Sequence, residues 1–195
     1  MVAEIRTRAR RRDRWVSWIV FALVVVALLL GWGVKAAAEG RTVSQEVEGV
    51  RVRYPAGWVK ASVQPPLLLQ VEQLVAPFRT TLTLQRRPLP PEAANPLSAI
   101  QQALALERAR SLTAYRVLSI EEAVSIGGRT GMRVTFAYVE THPNPFLEMA
   151  PVVMHGEDYL FQAGNEAQIV TLTAAEANYA RARKSLLVLV RSLPK

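Results

Sequence analysis

The sequence predicts an α+β protein in which one N-terminal transmembrane helix precedes a single domain of strands and helices. Three observations predict it. Residues 15–34 carry no charge, and a helix of that length, at about 1.5 Å per residue, spans roughly 30 Å, the thickness of a bilayer's hydrocarbon core. Beyond it, short stretches with the alternation of half-buried strands recur between proline and glycine turns. Two longer stretches, opening at Asn95-Pro96 and at Ala174, place apolar residues at helical spacing.

The apolar run is bounded by Trp15 and Trp18 at one end and Trp32 at the other. Indole rings favour the headgroup level, where an apolar ring and a polar edge are both satisfied. Arg6, Arg8, Arg10, Arg11, Arg12 and Arg14 precede the run against only Glu4 and Asp13. The positive-inside rule therefore puts the N-terminus in the cytoplasm of a cell (inner) membrane protein and the domain in the periplasm or outside the cell. The expected organisation is a basic tail over 1–14, a transmembrane helix over 15–34, a tether over 35–46 and an extracytoplasmic domain over 47–195. A cleaved signal peptide is the alternative, because Ala36-Ala37-Ala38 fits an A-x-A site. The run exceeds the roughly 7–15 residues of a signal h-region, which favours a retained anchor. Ala27 and Gly31, four residues apart, either admit a second helix closely or face lipid.

Half of the formal net charge of +8 belongs to residues 1–14, where anionic lipids attract it. The rest is scattered, without a basic stripe interleaved with aromatics, which argues against nucleic acid as a partner. Cysteine is absent, so disulfides, thiol catalysis and thiolate metal sites are excluded.

Along the domain, Val50, Val52 and Tyr54 alternate with Arg51 and Arg53 in a half-buried strand. Tyr54-Pro55-Ala56-Gly57 suits a type I turn, and Trp58 fills core beneath it. Residues 67–75 and 80–85 read as strands around Pro77, followed by a proline-rich connection from Arg86 to Pro91. Asn95 caps a helix running to about Ser111, with Leu97, Ile100 and Leu104 on one face. Residues 116–126 and 132–139 are strands joined by a hairpin turn over Gly127-Gly128-Arg-Thr-Gly131, the second a central strand covered on both sides. Residues 152–154 and 159–161 flank a turn at Gly156, and 169–173 form the last strand. The final helix, 174–193, carries Tyr179, Ala182, Leu186, Leu189, Val190 and Leu193 at core spacing.

Chemistry is sparse. His155, Glu157 and Asp158 are the one cluster of imidazole and carboxylates, and are candidate ligands for calcium, zinc or manganese. Metal sites gather ligands from several elements, so three groups in one hairpin turn read more simply as a solvated loop. His142 reads as an exposed loop residue. Glu121 and Glu122 are adjacent, so on a strand they point to opposite faces and do not form one acid/base pair. The Gly127–Gly131 turn lacks the lysine and Ser/Thr of a phosphate loop, and there is no Gly-x-Ser-x-Gly elbow. No residue is assigned to catalysis or to a cofactor.

In order, the chain shows a strand closing in Tyr54-Pro-Ala-Gly-Trp58, further strands, a helix, a glycine hairpin into Met132-Arg-Val-Thr-Phe136, the strand Ile169-Val-Thr-Leu-Thr-Ala174, and a helix ending in Arg191-Ser-Leu193. From about Val47 to Leu193 this resembles the PsbP-like domains, named for the extrinsic photosystem II subunit and related in fold to the Ran-binding Mog proteins. The resemblance implies a mainly antiparallel sheet flanked by helices and no general enzymatic activity. It also implies a role as peripheral subunit or assembly factor of a membrane electron-transfer complex. Some members bind calcium, manganese or zinc, but no ligand set of theirs matches this chain residue by residue. The transmembrane helix is a departure from the family's transit peptide or lipid anchor, and suits a fixed subunit rather than a photosystem II role. The expectation is a non-catalytic, cofactor-free accessory subunit that contacts the lipid bilayer and an integral membrane complex, respiratory or photosynthetic. The alternative is a stand-alone, membrane-anchored ligand- or metal-binding protein.

Overall fold

The computed structural model describes residues 2–74, 78–141 and 150–194, with side chains at 15, at 17–37 and from 40 onward. It divides into two compact units, Met1–Arg41 and Thr42–Lys195. The first is one helix, α1 (Val2–Glu39). Within it Ser17–Ala37, 21 residues, is long and apolar enough to cross a membrane, and none of it is buried. The basic segment expected as a separate tail continues the same helix, which also takes in the first part of the expected tether.

The second unit runs β1 (Thr42–Val47), β2 (Val50–Pro55), β3 (Val59–Lys60), β4 (Leu67–Gln73), β5 (Thr80–Pro88), α2 (Pro96–Ser111), β6 (Thr113–Ile126), β7 (Arg129–Glu140), β8 (Val152–Ala163), β9 (Glu166–Ala175) and α3 (Glu176–Ser192). Strands β1 and β2 pair by themselves; the other seven form one sheet in the order β3-β4-β5-β9-β8-β7-β6. Every pairing is antiparallel. Short hairpins build most of it. Ile126 faces Arg129 across Gly127 and Gly128, whose φ values of 61° and 79° are the left-handed pair that a two-residue turn on twisted strands requires.

The sheet is covered on both faces, and alternation along the strands assigns each side chain to a face. On one face α3 packs over β9, β8 and β5 and beside β2. Its Ala182, Leu186, Leu189 and Val190 share a core with Val52, Leu82, Phe161 and Leu172, and Trp58 joins that core, 8% exposed. On the other face Ile100 and Leu104 of α2 pack on Met132, Val134, Leu160 and Ile169. Asn95 caps α2 as expected: its side chain accepts from the Ser98 amide at 3.2 Å.

Several boundaries move. The tether yields β1, and β5 continues through Arg86 and Arg87 to Pro88, pairing with β9. The first turn sits one residue later, with the Trp58 amide donating to the Pro55 carbonyl at 3.1 Å. Strand β7 lies one in from the sheet edge. Its Met132, Val134 and Phe136 are buried, but its other face is half exposed. The turn expected at Gly156 does not exist: β8 is one strand of 12 residues. Gly156 is there because the Phe136 ring crosses the strand where a Cβ would stand. The expected loop at 142–145, with His142, lies outside the described residues, as does Pro77.

Candidate functional site

Because β8 is a strand, its two acidic residues face opposite ways, and each meets a different helix. Glu157 is 0% exposed and faces α3. It accepts from Tyr159 Oη and Tyr179 Oη, both at 2.7 Å, and from Arg183 Nε at 2.9 and 3.3 Å. Arg133 of β7 stands 3.9 Å away and also pairs with Glu121. Asp158 is 2% exposed and faces α2. Arg108 grips both of its oxygens, at 2.5 and 2.9 Å, and Thr171 Oγ1 donates to it at 2.6 Å. The Arg108 guanidinium also lies over the Phe136 ring, 4.2 Å from its centroid.

The expectation of a solvated turn at residues 155–158 is therefore corrected. A carboxylate enters a protein interior only when a cation and hydrogen bonds replace its water, and arginines from α2 and α3 supply them here. The sequence did hold a signal. Arg108 is one turn from core residue Leu104, and Arg183 is one turn from Tyr179, so each arginine lies on its helix's buried face. Arg108, Thr171 and Arg183 are the residues that sequence reasoning passed over, and Tyr179 was read only as core.

The candidate metal ligands do not come together. His155 shares the α3 face with Glu157, but its ring packs tilted against Tyr179, 5.5 Å between centroids, while Asp158 projects into the other core. Among the described residues no three histidine or acidic side chains converge to hold a metal. What the two carboxylates do is pin one helix to each face of the sheet. A separate groove of about 280 Å³ opens beside Asn95 and Leu97, between α2 and the β6–β7 hairpin, floored by Gly131 and Met132. On α1, Trp15, Trp18 and Trp32 are exposed, as are Ala27 and Gly31 on the same helix. The side chains of Arg10, Arg11, Arg12 and Arg14 lie outside the described residues.

No family model and no curated protein matches the sequence. Solved structures do match the globular unit. The solution structure of a cyanobacterial PsbP (CyanoP) from Synechocystis sp. PCC 6803 superposes with a TM-score of 0.57 at 12% identity, over 80% of this chain and 92% of that one. The domain has the PsbP/Mog-like fold. The Ran-binding protein Mog1p of Saccharomyces cerevisiae superposes with a TM-score of 0.50 at 12% identity, over 79% of this chain and 95% of that one. At such identities the PsbP/Mog-like likeness concerns the arrangement of strands and helices.

The Glu157 cluster gives this PsbP/Mog-like domain a defined pH profile. Burial pushes the Glu157 carboxyl up, but hydrogen bonds from Arg183, Tyr179 and Tyr159 outweigh it and hold the group below the ordinary glutamate value of 4.5. Its stabilising contribution is present above that value and fades as pH falls from about 4.5 towards the folded pKa. Burial, and then the negative carboxylate, push Tyr159 and Tyr179 above the ordinary value of 10.0. Their contribution is complete below about pH 10 and is lost as pH rises past it. Thermal melts across pH should show both limbs. Tyr179→Phe should flatten the alkaline limb, and an unchanged alkaline limb in that variant would remove Tyr179 from this account.

Proposed function

We propose that the chain is a non-catalytic, single-span accessory or assembly subunit of a larger membrane complex, a respiratory or photosynthetic electron-transfer complex. It docks through its globular domain and through α1. The observation that carries this reading is α1, whose 21-residue stretch is long and apolar enough to cross a membrane. It is joined to a domain whose buried carboxylates are engaged in holding helices to the sheet. The PsbP/Mog-like fold supports the reading. The arginines before the span support a cytoplasmic N-terminus and a periplasmic or extracellular domain on the cell (inner) membrane. The orientation is tested with a membrane-impermeant maleimide, which should label a cysteine placed at Ser62 before one placed at Thr7.

Native gels after mild detergent extraction test the proposal. Full-length protein should comigrate with a much larger assembly. The Arg41–Lys195 fragment should largely wash off, because the span confines the domain to the membrane and raises its effective concentration near the partner. Leucine at both Ala27 and Gly31 reads whether α1 itself makes contact. A free full-length monomer in several mild detergents would refute the subunit reading. It would favour the alternative of a stand-alone, membrane-anchored ligand- or metal-binding protein, with the groove beside Asn95 as the place for a ligand.

A further inference from the structure

From Ala177 to Lys195 the chain has five basic residues and no aspartate or glutamate. The structure sorts the four on α3 by direction. Arg183 turns inward to Glu157, while Arg181, Lys184 and Arg191 are exposed. At 3.6 residues per turn these three fall within a stripe of roughly 80° on the outer side of α3. Val188, 36% exposed, lies on the same stripe. The backbone amide of Arg53 donates to Ser192 Oγ at 2.8 Å, which fixes β2 against the last turn of α3. Arg51 and Arg53 alternate outward from that strand, opposite its buried Val50, Val52 and Tyr54. Glu46 faces Arg51 across the hairpin, but Arg53, Arg181, Lys184 and Arg191 have no ion-pair partner among the described residues.

We propose that this face, formed by the α3 stripe and the outward arginines of β2, rests on the anionic phospholipid surface of the bilayer that α1 enters. Charge complementarity is one support: cationic side chains without internal partners suit phosphodiester headgroups. Chain length is the other. Only Gly40 and Arg41 separate the last residue of α1 from the first of β1, a reach of roughly 11 Å when fully extended. Ser44, two residues into β1, is the register partner of Arg53. The β2 arginines and the end of α3 are thus leashed to the membrane surface. Each basic group near such a surface multiplies the docked population roughly fivefold, so three together act by about a hundredfold. Docking this way would leave α2, on the opposite face of the sheet, turned to a protein partner. The inference rests on α1 lying in a bilayer and is independent of the subunit reading.

The chain has no cysteine, so one label can be placed at will. Full-length Ala180→Cys carries a fluorophore beside the stripe, and Ala103→Cys carries it on the exposed side of α2, across the sheet, as a control. Purified protein is placed in nanodiscs of phosphatidylglycerol or of phosphatidylcholine, without any partner complex. Quenching by acrylamide should fall severalfold at position 180 in the anionic discs alone, while position 103 stays equally quenched in both. Raised salt should reverse the protection, and Arg181→Glu with Lys184→Glu and Arg191→Glu should abolish it. Equal quenching in the two lipids, or protection that survives the triple reversal, overturns the proposal. Failure of α1 to insert would show separately, as protein that does not incorporate into discs of either lipid.

Discussion

Arg108→Ala is expected to destabilise the domain by about 3–5 kcal/mol, the range for removing one partner of a buried ion pair. A domain's whole stability is typically about 5–15 kcal/mol, so this single change should bring the fold close to its limit. The reason lies in what is left behind. Asp158 is 2% exposed, and without the guanidinium it keeps, among the described residues, only the Thr171 hydroxyl. Its charge then has neither water nor a counter-ion. The substitution also uncovers the Phe136 ring, over which Arg108 stacks, and so removes about 1 kcal/mol of cation–π attraction. Replacing both partners should behave differently. Arg108→Met with Asp158→Leu deletes the charges together, and such swaps are often neutral or stabilising. Denaturant unfolding of wild type, the single variant and the double variant separates these effects. A single variant within about 1 kcal/mol of wild type would mean that Asp158 is already satisfied without Arg108.

The same residues show what could be read from the sequence. Signals confined to one element were legible. Residues 15–34 announce an apolar helix, Asn95-Pro96 announces the start of α2, and the Leu186, Leu189 and Val190 spacing announces the buried face of α3. The resemblance to PsbP-like domains anticipated the antiparallel sheet. Signals that depend on contacts between distant elements were not legible. Arg108 and Asp158 are 50 residues apart, and nothing local to either says that the other neutralises it. Without that partner Asp158 could only be placed in solvent, and with it the whole segment 155–158. On α3 the helical spacing already put Arg183 on the buried side, one turn from Tyr179, but that Glu157 meets it there depends on where β8 runs. Gly156 was misread for a related reason, because in sequence a glycine that makes room for a ring looks the same as one that makes a turn.

Gly156→Ala distinguishes those two roles, and it should destabilise the domain by about 3 kcal/mol, the upper part of the range for overpacking a tight core. In an unstrained site the same change stabilises by about 0.4–1 kcal/mol, through the entropy of the unfolded chain. Steric conflict decides the sign here. Gly156 has no left-handed φ, so its backbone would accept alanine. The added Cβ, however, overlaps three carbons of the Phe136 ring. That ring has no free direction in which to retreat. It is 1% exposed, Arg108 lies 4.2 Å from its centroid, Tyr115 packs at 5.5 Å and Tyr138 at 6.4 Å. Any retreat pushes on the guanidinium that holds Asp158, so the damage spreads to the clamp between α2 and the sheet. Shortening the ring should relieve it: Phe136→Leu leaves space at the position of the clash, and in the Gly156→Ala background it should restore part of the lost stability. The measurement is a double-mutant cycle by denaturant unfolding, with a favourable coupling of about 1 kcal/mol or more expected between the two sites. Additive losses, or an alanine variant as stable as wild type, would show that the glycine does not serve to admit Phe136.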